Sequence, residues 1–114
     1  MAHSIRTAHV GLAEALAAGP PKEGHLAVDV FAHGSLSVEM YNPVGVDLQT
    51  PHPRDEAYVV ARGTGSFFDG AETRPVEPGT LLFVPAGREH RFDAFSDDFA
   101  VRVLFYGPEG GEDA

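Results

Sequence analysis

Along most of this chain, apolar residues recur at every second position, in short segments that glycine and proline repeatedly cut off. A period of two puts alternate side chains on opposite faces of an extended strand, and the breaks permit turns rather than helices. Leu26, Val28 and Val30 alternate with Ala27, Asp29 and Phe31. His33-Gly34 offers a turn into Leu36, Val38 and Met40, which alternate with Ser37, Glu39 and Tyr41. Asn42-Pro43 closes that hairpin, and Val44 to Thr50 is expected to begin a further strand. Glu56 to Arg62 is strand-like, and Gly63-Thr64-Gly65 turns into Ser66-Phe67-Phe68 before the tight-turn pair Asp69-Gly70. Pro78-Gly79 precedes Leu81-Leu82-Phe83-Val84, a run that reads as buried. Arg91 to Phe95 alternates; after the polar corner Ser96-Asp97-Asp98, so do Phe99, Val101, Val103 and Phe105, as far as Gly107-Pro108. About eight short strands result, with no helix between them, so a parallel α/β sheet is excluded and an antiparallel sandwich or small barrel remains.

One helix stands in front. Val10, Ala13, Leu16 and Ala17 fall at helical spacing behind Thr7 as N-cap, predicting a helix over residues 8–18. Gly19 and Pro20-Pro21 end it. So short a helix needs the sheet or a partner subunit to pack against. The 114 residues make one domain, with residues 1–6 and the acidic tail 108–114 expected to be mobile. Val10, Leu16, Phe83, Phe99, Val101 and Phe105 are the expected core.

Charge narrows the partners. Eight basic residues against seventeen acidic ones give a net charge of −9, which argues against nucleic acid and anionic membranes. The chain has no cysteine, hence no disulfide, thiolate metal site or cysteine nucleophile. No apolar run is long enough to span a bilayer and no signal-like segment opens the sequence, so a cytoplasmic location is the default.

Chemistry concentrates in two stretches, Gln49 to Glu56 and Gly79 to His90. In an extended strand Glu56 and Tyr58 share a face, and His52 joins them if Pro51-His52-Pro53 stays extended. Pro85 and Gly87 would bend the later stretch so that His90 enters the same interior. Two imidazoles and a carboxylate suit Fe, Mn, Zn, Ni or Cu better than Ca or Mg, and they are the donor set of facial-triad iron sites and of some catalytic zinc sites.

The second stretch follows the cupin pattern G-x5-P-x-G-x2-H-x3-N at Gly79, Pro85, Gly87 and His90, with Ala94 in place of the final Asn. Against the first cupin pattern, G-x5-H-x-H-x3,4-E-x6-G, His52, Glu56 and Gly63 match, Thr50 stands where the first His belongs, and the leading Gly is displaced by one at Gly45. The chain therefore resembles the cupin family. That resemblance implies an all-β fold, an antiparallel double-stranded β-helix (jelly-roll or cupin barrel) over residues 25–107 with one short N-terminal helix. It also implies a divalent transition metal held by His52, Glu56 and His90, a small-molecule ligand and a homodimer. With Thr50 in the first position three ligands remain. Gln49 would add a fourth only if a bulge before Pro51 turned it inward, because in a regular strand it points away.

Thr50, Tyr58 and Phe92 are the expected pocket lining, and Tyr58 is the candidate acid–base residue. Arg91 could meet a substrate carboxylate, although an exposed position on the opposite face fits its neighbours better. His3, His9, His25 and His33 form no ligand spacing and read as surface residues. Two functions fit: a metal-dependent enzyme of dioxygenase or isomerase/epimerase type, or a barrel that binds or senses a small molecule without turning it over.

Overall fold

A computed structural model describes residues 7–23 and 25–113. The segment 1–6 and its His3 lie outside the described residues. Eight strands follow one helix: α1 (Leu12–Leu16), β1 (Val28–His33), β2 (Leu36–Tyr41), β3 (Asp55–Arg62), β4 (Gly65–Phe68), β5 (Thr73–Val76), β6 (Leu81–Val84), β7 (Arg91–Asp93) and β8 (Ala100–Tyr106). They form two antiparallel sheets, one of order β1-β2-β8-β3-β6 and one of order β5-β4-β7. Alternate residues of both sheets meet in one core: Tyr58, Val60, Val84, Val101 and Val103 from the larger sheet, Phe67, Val76 and Phe92 from the smaller. Glycine is required at one corner. Gly63 has φ +81°, and a Cβ there would lie 2.8 Å from the Cα of Phe99, so the turn from β3 to β4 closes only without a side chain.

About eight strands were expected and eight are present among the described residues, but the set differs by one. Residues 44–50 form no strand. Gly45 takes φ +76°, the Val46 amide bonds back to the Val44 carbonyl at 2.8 Å, and the Asp47 carboxylate accepts the Gln49 amide at 3.0 Å. These local bonds take the place of a ladder. The additional strand is β5, whose Pro75 is tolerated because β5 is an edge of the smaller sheet.

The helix is shorter than its periodicity predicts, beginning after Gly11 instead of Thr7. The guanidinium of Arg102 donates to the Val10 carbonyl at 3.1 Å, which holds the preceding segment against β8. Ala15 is buried against Met40 and Ala100, with Val10, Leu12, Leu16 and Val30 packed round them. The larger sheet thus has two apolar faces, an inner one toward the core and an outer one partly covered by α1.

One expectation is corrected here. Phe83 is not core: it is 55% exposed and Leu81 70%, because β6 is the sheet edge and their outward face lies beyond the reach of α1. The acidic tail meets the start of β3. The Gly110 amide donates to the Pro53 carbonyl at 2.7 Å and the Glu112 amide to the Asp55 carboxylate at 2.8 Å.

Candidate metal centre

Three backbone constraints bring the two motif stretches together. The Gly87 amide donates to the His52 carbonyl at 2.7 Å, so the loop before β3 is stitched to the turn before β7. Asp55 accepts from the Ala86 amide at 2.9 Å with one carboxylate oxygen and from Glu112 with the other. β3 pairs with β6 from Glu56 opposite Val84 onward, which fixes the height of Glu56 in the barrel. Period two then sends Glu56, Tyr58 and Val60 inward.

The donor atoms of His52, Glu56 and His90 consequently lie within 4.8 Å of one another. His90 Nε2 is 3.0 Å from Glu56 Oε1, and His52 Nε2 is 3.9 Å from the same oxygen. Ligands held about 2.1 Å from one ion stand about 3 to 4.2 Å apart, so these separations are of the right size for a shared cation. Glu56 and His90 are buried, while His52 is half-buried with its ring edge-on to Phe105 at 4.9 Å.

Neither carboxylate oxygen of Glu56 has a hydrogen-bond partner, although the residue is only 1% exposed. The 3.0 Å approach of His90 is close but not directed as a hydrogen bond. Enclosing an ionised carboxylate costs several kcal/mol unless a positive charge faces it, and the groups able to supply that charge here are a protonated His90, 3.0 Å away, or a metal cation in its place. The imidazoles are prepared to hold the metal. His90 Nδ1 lies 2.9 Å from the Arg88 carbonyl and donates to it, so in the neutral ring the Nε2 lone pair faces inward. Burial, opposed by Glu56, lowers the pKa of His52 and keeps its ring neutral near pH 7. Burial also works against a charged His90, but Glu56 and the Arg88 carbonyl outweigh it and raise its pKa. The residues present fit a divalent transition metal.

Around this group sits a second layer that periodicity could not supply. The Tyr58 hydroxyl is 2.8 Å from Gln49 Oε1 and 2.9 Å from His90 Nε2. Burial, followed by the Glu56 charge, pushes its pKa well above the ordinary tyrosine range, so it keeps its proton. Gln49 does turn inward. Its amide NH2 donates to Asp47 Oδ2 at 3.1 Å, which orients the oxygen toward Tyr58 and to 3.4 Å from His52 Nε2. Asp47 itself accepts from the Tyr41 hydroxyl at 2.6 Å and the Phe92 amide at 2.9 Å, anchoring the irregular 44–50 segment across the barrel.

Beside the centre opens a cavity of about 310 Å³. Thr50, His52, Gln49 and Phe105 line it, whereas Tyr58, read from the sequence as lining, is fully buried behind it. Glu39, Tyr41 and His25, which had no assigned role, line it too. The alternation on β2 marks Glu39 and Tyr41 as one face, and that polar-looking face is the inward one because α1 covers the apolar one. Phe92 does not reach the cavity; it is core, edge-on to Tyr58 at 5.1 Å and to Phe99 at 5.0 Å. Arg91 points outward and stacks over Phe68 at 4.3 Å.

A small antiparallel barrel with a His-Glu-His group inside defines a cupin. The family model described as "Cupin domain" matches residues 37–107, and the chain belongs to that family. Uncharacterized protein SCO3923 of Streptomyces coelicolor is 43% identical over 77 residues, 66% of this chain and 73% of that one. Among solved structures, a protein of unknown function from Rhizobium leguminosarum shares the fold with a TM-score of 0.72 at 18% identity, over 91% of this chain and all of its own. DMSP lyase DddQ from Ruegeria pomeroyi is 30% identical with a TM-score of 0.54, over 64% of this chain but 39% of its own length.

Proposed function

We propose that this cupin holds a divalent transition metal through His52, Glu56 and His90 and acts on a small organic molecule in the adjoining cavity. The carrying observation is the buried Glu56 carboxylate, without a hydrogen bond and faced by two imidazole nitrogens. An ion from the series Fe, Mn, Zn, Ni or Cu suits that donor set, with Gln49 Oε1 beside the position that Thr50 leaves without a ligand. When bound, such an ion supplies Lewis acidity or dioxygen activation, the basis of dioxygenase-type or isomerase/epimerase-type chemistry. The chain's own residues do the rest. Tyr58, fully buried behind the cavity, keeps its hydroxyl proton and links Gln49 to His90, which positions both beside Glu56. His52 and Phe105 form the wall between centre and cavity. The likeness to an enzyme, DMSP lyase DddQ, supports catalysis without specifying the reaction.

A second reading is a metal-free barrel that binds or senses a small molecule. It is favoured by one observation: Tyr58 and Glu56 both contact His90 Nε2 at about hydrogen-bond distance, closing the group on itself. Elemental analysis of protein purified without added metal separates the two. About one equivalent of a transition metal per chain is expected, falling sharply in Glu56→Gln. Less than roughly a tenth of an equivalent, with no uptake of added Fe(II), Mn(II) or Zn(II), overturns the metal reading. In His52→Ala an enzyme loses turnover while folded, whereas a metal-free binder keeps its ligand.

The outer surface bears on assembly. A continuous row, Phe31–Val38–Leu104–Ala57–Phe83, crosses all five strands of the larger sheet on its outer side, ending at the exposed edge strand β6. We read this face as the homodimer surface, since a second copy would cover both the apolar row and the open edge.

A further inference from the structure

In the cavity beside the metal centre, the negative charge is faced by imidazoles alone, His25 and His52. Its wall carries one carboxylate, Glu39, and no lysine or arginine among the described residues. Asp29 stands directly opposite Glu39 in the β1–β2 register, so two carboxylates face each other across the strands. Lys22 pairs with Asp29 at 3.1 Å, and Glu39 is left to the repulsion of Asp29, partly relieved by His25, and to the smaller repulsion of Glu56. The other basic groups near this end of the barrel are engaged elsewhere: Arg54 with the Ser35 and Gly107 carbonyls, Arg102 on the outer face with Val10. Glu39 is half-buried, and burial and these carboxylates raise its pKa, an unfavourable field that a bound cation would reverse.

The surrounding wall suits the same occupant. Tyr41 and Phe105 contribute aromatic surface, and Leu26 and Leu48 apolar surface at the mouth. An organic anion would meet Glu39 with only the His25 imidazole to offset its charge, apart from an ion at the metal centre.

We propose that this cavity takes a small ligand bearing an ammonium group, with Glu39 as the residue that recognises it and the rest of the molecule directed toward His52. This names a ligand class for the site and rests on the preceding reading only in treating that ligand as a substrate. The net charge of −9 assists by drawing cations toward the molecule.

Butylammonium, butan-1-ol and butyrate are matched probes that differ chiefly in charge. Each is titrated into the protein as purified and into protein dialysed against EDTA, with binding followed by NMR shifts of the Leu48 and Thr50 amides. Metal content is measured on the same samples. The expected result is that butylammonium binds both forms about fivefold or more tightly than butan-1-ol, and that Glu39→Gln abolishes this preference while still binding butan-1-ol. Butyrate or butan-1-ol binding the dialysed protein as well as butylammonium overturns the proposal, as does absence of butylammonium binding or a preference that survives Glu39→Gln. A protein that takes no metal yet keeps the amine preference contradicts the metal reading and upholds this one; metal uptake without the preference does the reverse.

Discussion

At the scale of single residues, two of the three departures from the cupin patterns have different physical outcomes. Thr50 sits exposed at the cavity mouth, and the neighbouring Gln49 oxygen is the one that reaches the candidate ligand group, 3.4 Å from His52 Nε2 and 2.8 Å from the Tyr58 hydroxyl. Ala94 occupies the position where the pattern has asparagine, and it is the one non-glycine among the described residues with positive φ, at +48°. Asparagine visits the left-handed region more readily than alanine, for which it costs about 1–2 kcal/mol. Ala94→Asn is therefore expected to raise stability by about 0.5–1 kcal/mol, read as a higher urea midpoint at unchanged m-value. An unchanged or lower midpoint would show that the pattern's asparagine serves something other than the backbone.

At the scale of elements, short turns held by side chains set the register that the site depends on. The β4–β5 hairpin is an example: Asp69 accepts from the Ala71 and Glu72 amides, both at 2.9 Å, inside the turn that Asp69-Gly70 signals. The Glu72 bond first, then the Ala71 bond, hold the Asp69 pKa below its ordinary 3.8. A depressed carboxylate pKa gives stability that is present above the unfolded value and is lost as pH falls through the lower folded value. Asp69→Ala should thus be less stable than the parent at neutral pH, with the gap closing as pH drops below about 4. Hydrogen exchange at Ala71 and Glu72 should quicken in the variant; equal stability across the whole pH range would contradict the assignment. Asp55 plays the corresponding part nearer the centre, joining β3, the turn before His90 and the C-terminal segment through two amides.

For the molecule as a whole, the larger sheet has to satisfy two apolar faces while α1 covers only part of the outer one. Leu81 and Phe83 remain outside, on an edge strand. Light scattering of the full chain is expected to give the mass of a dimer, and Phe83→Lys with Leu81→Lys to give a folded monomer, because burying two lysines against a copy of themselves is strongly unfavourable. A monomeric parent protein would remove the assembly proposal and leave the metal centre unaffected, since all three candidate ligands come from one chain.

Much of this was legible in the linear sequence, and the reason is periodicity. Alternation at every second residue gives a strand its two faces, and glycine and proline mark where it must turn; seven of the eight strands follow from that alone. The spacing of Pro85, Gly87 and His90, and of His52 and Glu56, likewise specified which side chains could converge. Periodicity does not say which face is the interior. On β2 the face carrying Glu39 and Tyr41 turns inward because α1 takes the other, and on β6 the apolar Leu81 and Phe83 face out because none of the described elements lies over them. The inward turn of Gln49 depends on Asp47 reaching the Phe92 amide, 45 residues along the chain. Burial and long-range hydrogen bonds are properties of what packs against a residue, so the metal-ligand candidates could be read from spacing, while the cavity beside them was decided only when the chain closed on itself.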